Sequence, residues 1–85
     1  MEIILLPKAR EHLQYWQKNK NKILLKRIAT LIQSIVDHPY AGIGKPEPLK
    51  YELTGKWSRR IDKENRLVYS ITDNNLYIHA LKGHY

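Results

Sequence analysis

The chain reads as an α+β domain in which a short N-terminal strand and two helices precede an antiparallel meander sheet. Three observations predict this. The stretch "ILLKRIATLIQSIV" puts Leu24, Ile28, Leu31 and Ile35 on one helical face. From Arg66 onward the period changes to two: "RLVYSIT" sets Leu67, Tyr69 and Ile71 against Val68, Ser70 and Thr72. "DNN" then supplies a hairpin turn, and "LYIHALK" returns with Leu76, Ile78 and Ala80 opposed to Tyr77, His79 and Leu81. A segregated order of helices followed by strands favours helices packed on one face of a sheet, with the other face or its rim left free.

The remaining elements follow in order. "EIILL" reads as a short buried strand. Pro7 suits the first turn of a helix, where its missing N–H has no partner to lose. Over "KAREHLQYWQKN", Ala9, Leu13 and Trp16 fall near one face. "KNKN" is a polar joint. In the second helix Ile32 and Val36 widen the apolar stripe, and Pro39 ends it by disfavouring helical geometry at His38. "YAGIGKPEP", with two Gly and two Pro, is a loop; "LKYEL" reads as a short strand, "TG" as a turn and "WSRRI" as another strand. There is no internal repeat or linker, so residues 1–85 are expected to form one domain. A chain this size buries about 60–65% of its unfolded surface, enough for one core.

Charge narrows the function. Fifteen Lys and Arg against eight Asp and Glu give a net charge of +7 and a pI near 9.8. That surplus points to a polyanionic partner, nucleic acid rather than membrane. Lys18, Lys20 and Lys22 are read as the solvated face of a helix. No apolar run approaches the ~20 residues of a spanning helix, and "MEIILLP" is too short and too acidic for a leader. Cysteine is absent, which removes disulfides, thiolate metal sites and a Cys nucleophile. A cytoplasmic location is the expectation.

Two motifs could carry chemistry. In "GKPEPLK", Pro46 fixes its own φ and Pro48 pushes Glu47 towards an extended conformation. The carboxylate thus stands on a semi-rigid arm, either as a positioned general base or as an exposed loop acid between shape-setting prolines. In "WSRRIDKENRLVY", Arg59 and Arg60 point to opposite faces of a strand and Arg66 opens the next. Arg66 suits a phosphate, or else a salt bridge with Asp62 or Glu64. Lys45, Lys50 and Lys82 lie in or near these motifs and would form a positive rim. His12, His38, His79 and His84 have no ligand spacing for a metal, His12 reading as helix surface and His79 as part of a strand face. No P-loop, glycine fingerprint or nucleophile elbow is present. One chemistry needs only what is left: attack by an RNA 2′-OH on its own phosphodiester. Glu47 would be the base, Arg66 the phosphate stabiliser and His84 the acid, with Tyr85 stacking on a base. The terminal pair is otherwise a leftover tail.

"GIGKPEPLK", "LTGKWSRRI", "RLVY", "YWQ" and the final "HY" together resemble the YoeB toxins, RelE-superfamily mRNA interferases of bacterial toxin–antitoxin pairs. The resemblance covers essentially the whole chain. It implies a RelE-like fold and metal-independent, ribosome-dependent cleavage of mRNA in the ribosomal A site, with no cofactor. It also implies inhibition by a YefM-like antitoxin, frequently a toxin homodimer, and DNA contact only through the antitoxin. By position, Glu47 resembles the family's general base, His84 its acid, Arg66 its phosphate stabiliser and Tyr85 the aromatic that orients the nucleotide. Lys50 and Arg60 resemble RNA-contacting positions, and Glu64 an acidic position that would orient Arg66. Asn65 stands where His is familiar, and Leu81 where Cys is common. The rival reading is a basic module that occludes the A site without cutting.

Overall fold

The structure is a computed structural model describing residues 1–85. Strand β1 (Glu2–Leu5) leads into helix α1 (Pro7–Lys18) and helix α2 (Lys22–Asp37), followed by β2 (Glu47–Pro48), a 3-10 turn (Tyr51–Leu53), β3 (Trp57–Arg60), β4 (Arg66–Thr72) and β5 (Asn75–Ala80). The five strands form one sheet in the order β1-β5-β4-β3-β2. β2 through β5 are antiparallel neighbours, but β1 pairs parallel with β5, Glu2 opposite Asn75 and Leu5 opposite Ile78. The sheet is therefore mixed, and β1 lies on its edge with Glu2 and Ile3 exposed rather than buried.

The helices form where the pattern places them. Pro7 occupies the first turn of α1, and Ala9 and Trp16 face inward. Asn21 caps α2 by accepting from the Leu24 N–H at 3.2 Å. Leu24, Ile28, Leu31 and Ile35 are all buried, with Ile32 and Val36 packed beside them. The helix ends at Asp37, before Pro39. Across from this stripe lie Leu67, Tyr69, Leu76, Ile78 and Leu81, so one sheet face meets both helices in a continuous core. Asp73 and Asn74, both at positive φ, make the two-residue hairpin between β4 and β5.

Two local features depart from simple alternation. "LKYEL" is not a strand: Tyr51 takes a positive φ of 59°, and a 3-10 turn follows. The pairing partner of β3 is instead the Glu47–Pro48 pair. Between β4 and β5 a bulge sets Val68 opposite Ala80 but Tyr69 opposite Ile78, leaving His79 as the extra residue. The phase slips by one beyond it. Ala80 turns to the helix-free face, and Leu81 joins the core in its place.

Candidate active site

The free face of the sheet is organised by register. Glu47 lies opposite Ser58, Ser58 opposite Val68, and Val68 opposite Ala80, so these four form one cross-strand row. Arg60 lies opposite Arg66 in the adjoining row on the same face. Arg59, one residue along, points to the helices and is fully buried.

Glu47 and Arg66 form the one ion pair in the structure, Oε2 to Nη1 at 4.0 Å. At that separation no hydrogen bond joins them, and the carboxylate keeps its lone pairs for another donor. Arg66 Nη1 donates to Ser58 Oγ at 3.3 Å, which together with Glu47 sets the guanidinium's direction. The alternative in which Asp62 or Glu64 neutralises Arg66 is not realised. Asp62 Oδ1 accepts from the N–H groups of Glu64 and Asn65, at 2.8 and 2.7 Å, and so shapes the β3–β4 connection. Glu64 does not orient Arg66 either: it lines a cavity of about 630 Å³ with Tyr15, Trp16, Asn65, Lys82, Gly83 and His84. Arg60 and Arg66 line a cavity of about 220 Å³ with Asp62 and Lys63. Two guanidiniums held directly opposite repel each other, and an anion between them relieves this. Lys45 and Lys50 are exposed on either side of β2.

The segment after β5 is fastened at four points. Trp16 Nε1 donates to the Leu81 carbonyl at 2.8 Å, and the Leu81 N–H donates to His12 Nδ1 at 3.0 Å. The Gly83 N–H donates to Asn65 Oδ1 at 3.0 Å, while the Arg66 N–H donates to the Gly83 carbonyl at 3.0 Å. His12 is thus an anchor rather than helix surface. Burial, then the nearby charges of Lys8 and Lys82, lower its pKa, which keeps Nδ1 free to accept. Gly83 is bonded to Arg66 itself, and His84 and Tyr85 leave the sheet from there. The two residues line different cavities. Tyr85 lines a cavity of about 440 Å³ on the free face with Val68 and Ala80, while the exposed His84 lines the cavity that holds Glu64. The structure therefore brings Glu47 and Arg66 together, sets Tyr85 on the same face, and has His84 lining a different cavity from Arg66 and Tyr85.

A buried arginine holds the arm that carries Glu47. All five N–H groups of Arg59 are used: Nε donates to Tyr69 Oη, Nη1 to Ser34 Oγ and the Ile43 carbonyl, and Nη2 to the His38 and Ala41 carbonyls. Tyr69 Oη in turn donates to the Pro39 carbonyl at 2.6 Å, and burial raises its pKa. The Gly44 carbonyl accepts from the Arg60 N–H at 2.7 Å, tying the loop to β3. Gly44 has a φ of +80°, and a Cβ there would lie 2.7 Å from Leu31 Cδ2. Sequence reasoning placed Arg59 and Arg60 on opposite faces without finding this network. The network gathers loop carbonyls, which carry no sequence signal. Ser58 was missed because its contact with Arg66 depends on the β3–β4 register, whereas Asn65 stood out only as a departure from the familiar residue.

A family model described as "YoeB-like toxin of bacterial type II toxin-antitoxin system" matches residues 6–85. The chain belongs to this family. Toxin YoeB of a Synechocystis strain is 53% identical over 74 residues, covering 87% of this chain and 86% of that one. Toxin YoeB of Escherichia coli is 45% identical over the full length of both. Among solved structures, a YoeB/ParE toxin from Agrobacterium tumefaciens superposes with a TM-score of 0.94 at 33% identity, covering both chains fully. The YoeB dimer from Staphylococcus aureus does so with a TM-score of 0.91 at 45% identity, covering 100% of this chain and 98% of that one. These YoeB-type neighbours agree with the observed order of one strand, two helices and a mainly antiparallel sheet. No helix of this YoeB-family chain is long and apolar enough to cross a membrane.

Proposed function

We infer that this chain cleaves mRNA within the ribosome, using Glu47 as general base, Arg66 as phosphate stabiliser and His84 as general acid. The observation that carries the reading is the fixed Glu47–Arg66 pair at 4.0 Å on a helix-free, cationic face. Glu47 removes the proton from a 2′-OH, whose oxygen attacks the adjacent phosphorus. The phosphorane's added negative charge falls to Arg66, with Arg60 beside it. As the P–O5′ bond breaks, His84 gives its proton to the departing oxygen. The products are a 2′,3′-cyclic phosphate and a 5′-hydroxyl, and no metal enters the balance. Tyr85 stacks on a base, and Lys45 and Lys50 hold the strand by its phosphates. Glu64 lines His84's resting cavity in the free protein. To act, His84 must leave that cavity. Its last fastened neighbour is Gly83, bonded to Arg66, which keeps the two final residues beside the start of β4.

Relatives suggest the partners. Solved structures of the Staphylococcus aureus protein include a YoeB dimer and a YoeB–YefM complex. A YefM-like antitoxin and a homodimer are accordingly proposed here, with operator DNA reached through the antitoxin. One rival, favoured by the placing of His84 and Arg66 in different cavities, is a protein that blocks the ribosome without cutting. Primer extension on an mRNA in a purified translation system decides between them. Discrete, ribosome-dependent cuts that disappear in His84→Gln support the nuclease. Translation blocked equally by both proteins, with intact message, establishes the rival.

A further inference from the structure

The tail that carries His84 and Tyr85 is gripped by two side chains one helical turn apart. His12 Nδ1 accepts from the Leu81 N–H at 3.0 Å, and Trp16 Nε1 donates to the Leu81 carbonyl at 2.8 Å. Helix α1 thus holds both backbone polar groups of a residue that directly follows β5 and has no exposed surface. The cleavage chemistry uses neither side chain. The grip on the N–H fixes a proton. A backbone amide nitrogen can only donate, so Nδ1 must present its lone pair and the ring's one proton sits on Nε2. A second proton would go to Nδ1 and set donor against donor, and the buried Leu81 N–H would lose its acceptor. The other three fastenings rest on the Trp16 indole, the Asn65 amide and peptide groups, none of which titrates. His12 is the fastening that a proton can undo.

The surroundings favour the neutral ring. Burial acts first, then Lys8 from the same helix and Lys82 from the tail, with Glu11 of the helix opposing them; together they lower the His12 pKa from 6.5. Lys82 is steadied there, its Nζ 4.8 Å from the centre of the Tyr15 ring. The grip is complete above the ordinary value and is lost as pH falls through the lower, folded one. We propose that His12 is a positioning residue: its neutral ring fastens the tail for cleavage, and its protonation releases Leu81 and weakens the site. This rests on the reading of the chain as an RNA-cleaving toxin.

Two measurements separate the claims. The first follows the Leu81 amide and the His12 ring by NMR in the whole protein, from about pH 7.5 to about pH 5.5. The second measures cutting over the same range on preformed ribosome–mRNA complexes, for wild type, His12→Asn and His12→Leu. Asn places a carbonyl oxygen where Nδ1 stood and does not titrate, whereas Leu removes the acceptor at every pH. Ratios to His12→Asn cancel the ribosome's own response to acid. Urea melts at each pH establish which variants are folded, and His12→Asn carries the test if His12→Leu is not. The Leu81 amide should titrate with the His12 ring and stay still in His12→Asn. Wild type should lose cutting by on the order of tenfold relative to His12→Asn as pH falls, and folded His12→Leu should show that loss already at neutral pH. A Leu81 amide that ignores His12, or an acid loss shared equally by wild type and His12→Asn, overturns the proposal. Coupled titration without cutting at any pH retains the proton-operated grip and removes the nuclease reading.

Discussion

Replacing Arg59 by Met would test whether the buried guanidinium is what holds the Glu47 arm. Arg59 is wholly inaccessible and has no carboxylate partner; five oxygens from Tyr69, Ser34, Ile43, His38 and Ala41 solvate its charge. A hydrogen bond to a charged group contributes about 1.5–3 kcal/mol. The five do not add, because the guanidinium's own desolvation opposes them and water reaches the exposed His38, Ala41 and Ile43 once the loop opens. The expected net loss is about 3–5 kcal/mol, out of a total stability of about 5–15 kcal/mol for a domain of this kind. With a urea slope of about 1–3 kcal/mol per molar, the unfolding midpoint should fall by about 2 M. Arg59→Lys keeps the charge but not the planar fork, and should lose at least half as much. Under conditions where Arg59→Met remains folded, RNA cleavage should drop about 100-fold, because the arm bearing Glu47 is no longer fixed. A midpoint within about 0.5 M of wild type would refute the argument. A Lys variant equal to wild type would show that charge alone, not the five-donor geometry, matters.

Other outcomes follow from the same geometry. Removing His84 and Tyr85 should reduce cleavage at least ~100-fold while lowering stability by no more than about 2 kcal/mol, because the last fastened residue is Gly83; primer extension and a urea melt of one sample check both. Asn65→Ala removes both the acceptor for the Gly83 N–H and the Nδ2 donor to the Asp62 carboxylate, and its activity should fall further than the stability loss of about 2 kcal/mol expected for those contacts. His12 and His79 both have pKa values lowered in the folded state, from an ordinary 6.5. The unfolded chain then binds more protons between the folded values and 6.5. Their contribution is therefore complete above about pH 6.5 and is lost as pH falls through the folded values. Urea midpoints should decline from pH 7.5 to 5, and His12→Asn with His79→Asn should flatten that decline.

What the sequence revealed depended on how local the cause was. The α2 stripe was legible because four residues of one period bury against one sheet, and the Asp73–Asn74 turn because positive φ favours those side chains. The antiparallel order of β3, β4 and β5 followed from short connections. β1 was harder: its partner stands at the far end of the chain, so no turn chemistry announced a parallel pairing. Tyr51 was read into a strand because "LKYEL" has strand composition, but its left-handed backbone breaks the run. The bulge at His79 reversed Ala80 and Leu81, an outcome that depends on the register of a neighbouring strand. In the site, Glu47 and Arg66 were named from rigid prolines and a strand end, and the register puts them on one face. His84 was named too, but it lines a different cavity, one residue beyond the last fastening at Gly83.

The parallel pairing of β1 with β5 also governs the order in which a nascent chain can become competent. Synthesis delivers α1 and α2 first, with apolar stripes that have nothing to cover them. β1 waits without a partner until Asn75–Ala80 has been made. A ribosome that has reached Arg66 has therefore produced the carboxylate and the guanidinium, but neither strand β5, which joins β1 to the rest of the sheet, nor the four fastenings of the tail. Contacts this distant in sequence form late. A chain ended part-way through this reading frame would be a fragment with uncovered apolar helix stripes and an incomplete sheet, so the Glu47–Arg66 face is framed only when nearly the whole chain has emerged.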